Sequence, residues 1–196
     1  MQTDNNSLID ALITIADNAT LAARKFKELS ESQLNFKINP EKWSVLECVE
    51  HLNRYGEFYL PEIEKALLSD KKAHHSGIYK SGLLGNWFAN LMKVSNGKMT
   101  KMKTPGDKNP AGSKLTVLAI DRFLKQQEML KSLLNQARQA DLTNTKVPIS
   151  LTRFVRLRLG DTLRFFVYHI ERHIFQAEKV VSTRSRSTSS ENSSDP

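Results

Sequence analysis

Apolar residues recur along this chain in alternating steps of four and three, the spacing that draws one stripe along a helix. Leu8, Leu12, Ile15, Ala19, Ala22, Phe26 and Leu29 form the first stripe. Val45, Val49, Leu52, Tyr59, Ile63 and Ala66 form the second. It opens at SVLE, where Ser44 can cap the helix and Glu47 can reach back to the cap amide. Pro61 falls inside this pattern and is expected to kink or divide the helix, because it lacks an N–H and crowds the preceding turn. A third stripe runs from about Ser113 to Ala140 through Thr116, Ile120, Phe123, Gln127, Leu130, Leu134 and Ala137. The fourth is GDTLRFFVYHIERHIFQAEKV, Gly160 to Val180. Gly160 reads as a break and Asp161 as the N-cap of the restart. Residues 150–159, just before it, read as a short helix or an irregular lead-in. No alternating strand pattern, internal repeat or glycine-rich phosphate loop stands out.

Between the second and third helices lies a long connection containing Gly77, Gly82, Gly85, Gly97, Gly106, Gly112, Pro105 and Pro110. Within it, LLGNWFANLM is apolar enough to predict a short docked helix, and a connection of this length usually carries function or its own substructure. From Ser182 onward the serine-rich sequence has almost nothing to bury and is expected to be disordered. Four amphipathic helices with one long crossover predict an all-α protein, an antiparallel four-helix bundle. Residues 1–181 then form a single domain and residues 182–196 a tail.

Composition adds limits rather than a function. The chain has 196 residues, 39% apolar and 26% charged, enough for one domain with a core. No apolar run is long enough to span a membrane, and the N-terminal stretch does not read as a secretory signal. Cys48 is the one cysteine, so no internal disulfide forms, and a cytoplasmic protein is the simplest reading. The net charge is +8, but Lys71–Lys114 holds nine lysines against one acid, Asp107. The excess is thus partly a property of one connection. It lacks arginine forks and a reading motif, so nucleic acid is disfavoured as a partner. A homodimer is an open option with no residue to name for it.

The candidate chemistry lies on the fourth helix. His169 and His173 are one turn apart and share their face with Phe165, Phe166, Gln176 and Val180. Two imidazoles at this spacing can converge on a metal ion, which wants neutral nitrogens at about 2.0–2.2 Å. A third ligand must come from elsewhere. His74 and His75 lie in the basic connection, and His51 lies on the second helix, one turn after Glu47 and roughly 100° from the centre of its stripe. Three histidines with open positions suit a catalytic metal better than a structural one, and zinc, nickel, iron and copper all accept imidazole. The plainer alternative is a pair of core histidines satisfied by hydrogen bonds. Glu47 reads first as a capping residue and then as a group behind the ligands. Cys48 reads as a small buried hydrophobe, Trp43 and Trp87 as packing anchors, and Tyr55 and Tyr59 as amphipathic lining.

WSVLECVEHLNRY, carrying His51, and HIERHIFQAEKV, carrying His169 and His173 more than a hundred residues later, resemble the DinB/YfiT-like superfamily. The likeness covers nearly all of the chain except the tail. It implies a bundle of up-down-down-up topology and a divalent metal held by His51, His169 and His173, with zinc or nickel the expected ion. It also implies a pocket in which Gln176 takes part. Members of that superfamily include transferases and isomerases that use low-molecular-weight thiols, and others described as metal-dependent hydrolases. The resemblance therefore implies a metalloenzyme, a thiol S-transferase or a hydrolase, acting on a small molecule, with a thiol as cosubstrate in the first case. The nearest acids, Glu47 and Glu50, are poorly placed as a general base, which favours thiol transfer. The alternative is a non-catalytic ligand-binding or stress-response protein whose metal is structural or absent.

Overall fold

A computed structural model describes residues 1–70, 77–95, 97, 99–100 and 102–191; His74 and His75 lie outside the described residues. The chain is mostly helical. Its helices are α1 (Asn5–Phe26), α2 (Glu31–Leu34), α3 (Val45–Ser69), α4 (Leu83–Met92), α5 (Leu118–Ala137) and α6 (Leu159–Glu191). Among the described residues, β1 (Gln2–Asp4) pairs antiparallel with β2 (Ile78–Lys80) and β3 (Lys146–Ile149) with β4 (Thr152–Arg158).

The long helices form where the stripes predict them, and the ends follow from local chemistry. Asp4 caps α1 by accepting from the Ser7 amide at 2.8 Å. At the head of α3 the Ser44 hydroxyl accepts from the Glu47 amide, while the Glu47 carboxylate accepts from the Ser44 amide at 2.9 Å. This reciprocal cap satisfies two donors that the helix cannot. The helix then runs unbroken through Pro61. The proline removes one backbone hydrogen bond, but Leu60 and Ile63 on either side are buried and hold the turn in place.

α1 and α3 each pack on both α5 and α6. Across α1 and α5 the ion pairs are Asp10–Arg138, Asp17–Lys131 and Lys27–Asp121, so residue numbers rise on one helix as they fall on the other. Such exposed pairs are worth at most about 1 kcal/mol each and mark register more than strength. Across α3 and α5, Arg122 pairs with Glu50 and Glu57, and Gln126 donates to the Asn53 carbonyl. Across α3 and α6 they run oppositely, with Tyr59 against Phe166, Tyr55 against His169 and His51 against His173. Ile120, Phe123, Leu130 and Leu134 of α5 belong with Leu163, Phe166 and Val167 of α6 to one continuous core. Each such side chain contributes about 1.5–3 kcal/mol on full burial.

Four sequence expectations are corrected. Residues 152–158 form a strand of a hairpin, not a helix or an irregular lead-in. The alternation is real but short, and its outward Phe154 is 99% exposed, which disguises a polar face as an apolar one. Gly160 is not a break: α6 starts at Leu159, and Gly160 is small because a Cβ there would collide with the Tyr79 ring. Asp161 does not cap α6. Its carboxylate accepts from the Tyr79 hydroxyl and from the Gly82 amide at the head of α4. Trp87 is no packing anchor, being 56% exposed on α4. The predicted docked helix LLGNWFANLM is α4, which lies on α6. α6 itself continues past Ser182 to Glu191, with Arg184 donating to the Ser32 carbonyl at 2.7 Å. Once a helix exists, each further turn costs little, and this contact favours it.

Candidate metal centre

His51, His169 and His173 are all buried, and one ring nitrogen of each lies within 4.8 Å of the others. The spacing of α6 sets His169 edge-on to His173, ring centroids 4.6 Å apart. α3 supplies His51, 4.4 Å from His173 and 5.0 Å from His169. His51 is not at the edge of a stripe. Residues 45–53 are buried all round, because the start of α3 is covered on one side by the core and on the other by the connection after α4.

That cover orients the imidazole. A single turn of 3-10 helix at Gly106–Lys108 presents the Lys108 carbonyl to His51 Nδ1 at 2.7 Å. Only an N–H can donate there, so neutral His51 keeps its lone pair on Nε2. The turn is itself held by α3: Arg54 donates to the Asn109 carbonyl at 2.7 Å and to the Ser113 hydroxyl, and Glu50 holds Arg54. On α6, His173 Nδ1 faces Gln176 Oε1 at 3.1 Å, which likewise leaves Nε2 with the lone pair. His169 Nε2 meets His51 Nε2 at 3.2 Å, and its Nδ1 is buried with no partner.

These features fit a metal ion. Two nitrogens ligating one tetrahedral ion at about 2.0–2.1 Å sit about 3.3 Å apart, close to the His51–His169 separation. Two of the three lone pairs are aimed by a carbonyl or amide oxygen behind the ring, as is usual for ligating histidines. Burial, above all, holds the three imidazoles neutral. It lowers His51 to about 4 and puts His169 and His173 well below their ordinary value, with mutual repulsion and the nearby Arg172 adding to it.

The remaining sequence candidates fall into place around this centre. The Tyr55 ring lies 4.4 Å from His169 and 4.9 Å from His51, and burial pushes its hydroxyl up to about 12. Glu47 spends its carboxylate on the Ser44 amide, Lys37 and the Gly112 amide. Glu50 faces Arg54 and Arg122. Cys48 is fully buried and its thiol is pushed well up, so it offers no thiolate. Two participants were not legible as such. Trp43, just before the α3 cap, packs its ring 4.7 Å from His51 and 5.6 Å from His173. Lys108 acts through its backbone carbonyl, which no side-chain motif announces.

The three histidines do not close the site off. His51, His169 and His173 line a cavity of about 840 Å³ that also takes in Trp43, Tyr55, Phe88, Met92 and Arg172. Among its described lining residues the only carboxylate is Glu41.

The neutral, buried imidazoles carry a pH signature. An unfolded histidine titrates near 6.5, whereas these resist protonation far below that. The unfolded chain therefore takes up protons first as pH falls from 6.5, and folded stability is lost from there downward. We expect the melting temperature of metal-free protein to fall steadily from pH 6.5 towards 4, and zinc to delay the fall to lower pH. A flat profile over that window, read by circular dichroism, would contradict burial as neutral imidazoles.

Comparison with family profiles matches the DinB superfamily over residues 14–177, which is more than half of the chain. No curated protein and no solved structure matches it.

Proposed function

Because the chain belongs to the DinB superfamily, we propose that it is a metalloenzyme that holds a divalent cation, zinc or nickel, on His51, His169 and His173 and transfers a low-molecular-weight thiol to a small electrophile. The observation that carries this reading is the convergence of three buried neutral imidazoles on the wall of an open cavity. In the same reading the four long helices form an up-down-down-up bundle, supported by the opposite senses of the α1–α5 and α3–α6 pairs, and residues 1–181 make one domain.

A cation bound there would supply Lewis acidity and keep a coordinated thiol ionised at neutral pH. The chain's own residues do the rest. The Lys108 carbonyl and Gln176 fix two rings with Nε2 inward. Tyr55 and Trp43 cover the rings with aromatic surface and limit water. Thiol transfer is favoured over hydrolysis because a hydrolase needs a base to ready its water. Glu47 and Glu50 are held by cations, and Tyr55 is too weak an acid to ionise at neutral pH.

The test is spectroscopic. Cobalt-substituted protein should show a thiolate charge-transfer band on adding a cellular thiol, and then consume thiol with an electrophile such as a haloalkane. Cobalt protein whose spectrum no thiol changes would remove the transferase reading and leave a closed or purely structural site.

A further inference from the structure

Arg172 is the one buried charge among the described residues that line this cavity. It precedes His173 on α6, lines the same cavity and is only 7% exposed. Its guanidinium donates to the Leu91 carbonyl at 3.3 Å and to the Thr100 carbonyl. These contacts use two of five N–H donors and bring no negative charge. Among the described residues no carboxylate pairs with it. The other buried arginine, Arg164, has Asp161 beside it, so the fold supplies a counter-charge where none is to come from outside. A buried cation left without one is costly, and an incoming anion relieves that cost.

The rest of the wall has the same sign. Among the described lining residues, Lys42, Lys103 and Lys179 stand against one acid, Glu41. Phe88, Met92, Met99 and Met102 add an apolar surface, and methionines adapt to bodies of varied shape. We propose that the cavity takes an organic anion, its oxyanion head forked on Arg172 and its apolar body against Phe88 and the three methionines. This rests on the cavity being the substrate site, not on the identity or presence of the metal. The guanidinium fork suits a carboxylate and a phosphate alike.

The experiment uses full-length, chelator-treated protein and three probes with one tail: octanoate, octyl phosphate and octanol, measured by calorimetry at low and high salt. At least one of the anions should bind about 10-fold or more tightly than octanol, and the tighter of the two names the head group. The preference should persist at high salt, because a buried charge is screened less than exposed lysines. Arg172→Gln should abolish it while leaving octanol binding unchanged and zinc binding no weaker. Arg172→Lys, which keeps the charge without the fork, should retain part of it, and Lys103→Gln nearly all. Equal affinity for the three probes would overturn the proposal. So would a preference lost in high salt, or one that survives in Arg172→Gln, or, where that variant does not fold, one that falls with Lys103→Gln and not with Arg172→Lys. Zinc titration is read separately, so loss of the metal reading leaves the anion result standing.

Discussion

His169→Ala is expected to weaken divalent-metal binding by at least about 100-fold and to erase the stabilisation that metal gives the fold. His169 is the hinge of the cluster. Its Nε2 is 3.2 Å from that of His51, and its ring packs on His173 one turn away. Removing it leaves one ligand on each of two helices, a set that rarely suffices. Wild-type protein with zinc at a hundred times its dissociation constant should gain about 2.7 kcal/mol, or roughly 5–10 °C in melting temperature for a chain of this size. The variant should melt at the same temperature with zinc or with chelator. Calorimetric titration gives the affinity and scanning gives the stability. A wild type unmoved by zinc, nickel and cobalt would end the metal reading. A His169→Ala variant that still responds would move the ligand set elsewhere.

How much of this site could be read in the sequence depends on which physical signal each residue leaves. His169 and His173 are visible because one turn separates them on a strongly periodic helix, and periodicity fixes a shared face. His51 was one candidate third ligand beside His74 and His75, and the resemblance singled it out. Taken alone, the periodicity of α3 set His51 a quarter-turn from its stripe, because a stripe reports the deepest side of a helix and not a second covering layer. That layer is the connection carrying Lys108, whose glycines and prolines announce turns but not where a carbonyl will point. Arg172 was missed for a related reason. A charged residue next to a histidine on a helix reads as solvated, and only the position of Leu91 and Thr100 shows it buried. The hairpin at 146–158 was missed because four and seven residues carry too little alternation to outweigh an exposed Phe154. The four stripes, by contrast, each had several turns in which to repeat.

Asp161→Ala should be the most destabilising of the substitutions considered, by about 3–5 kcal/mol, or roughly 6–20 °C in melting temperature. Asp161 and Arg164 are both 1% exposed, and the Asp161 carboxylate is the only negative charge near that arginine among the described residues. Its two oxygens also take the Tyr79 hydroxyl and the Gly82 amide. Truncation leaves the Arg164 guanidinium, which keeps only the neutral Asn86 and Tyr79 oxygens, without a counter-charge, and leaves a phenol and a helix-head N–H without their acceptor. Adding Arg164→Met removes the stranded charge, so the double variant should recover a large part of the loss. Chemical denaturation of the two single variants and the double variant measures that recovery. Asp161→Ala costing under about 1 kcal/mol, or a double variant no better than the single, would show that the charge is not what the clasp balances. The consequence reaches the cavity. Asp161 ties β2 and the head of α4 to α6, and α4 carries Phe88 and Met92 into the cavity wall. At temperatures where the variant is still folded, its zinc affinity should be nearly that of wild type, because His51, His169 and His173 sit on α3 and α6. Its affinity for the octyl anions should fall, because the wall that receives their tails has lost its anchor.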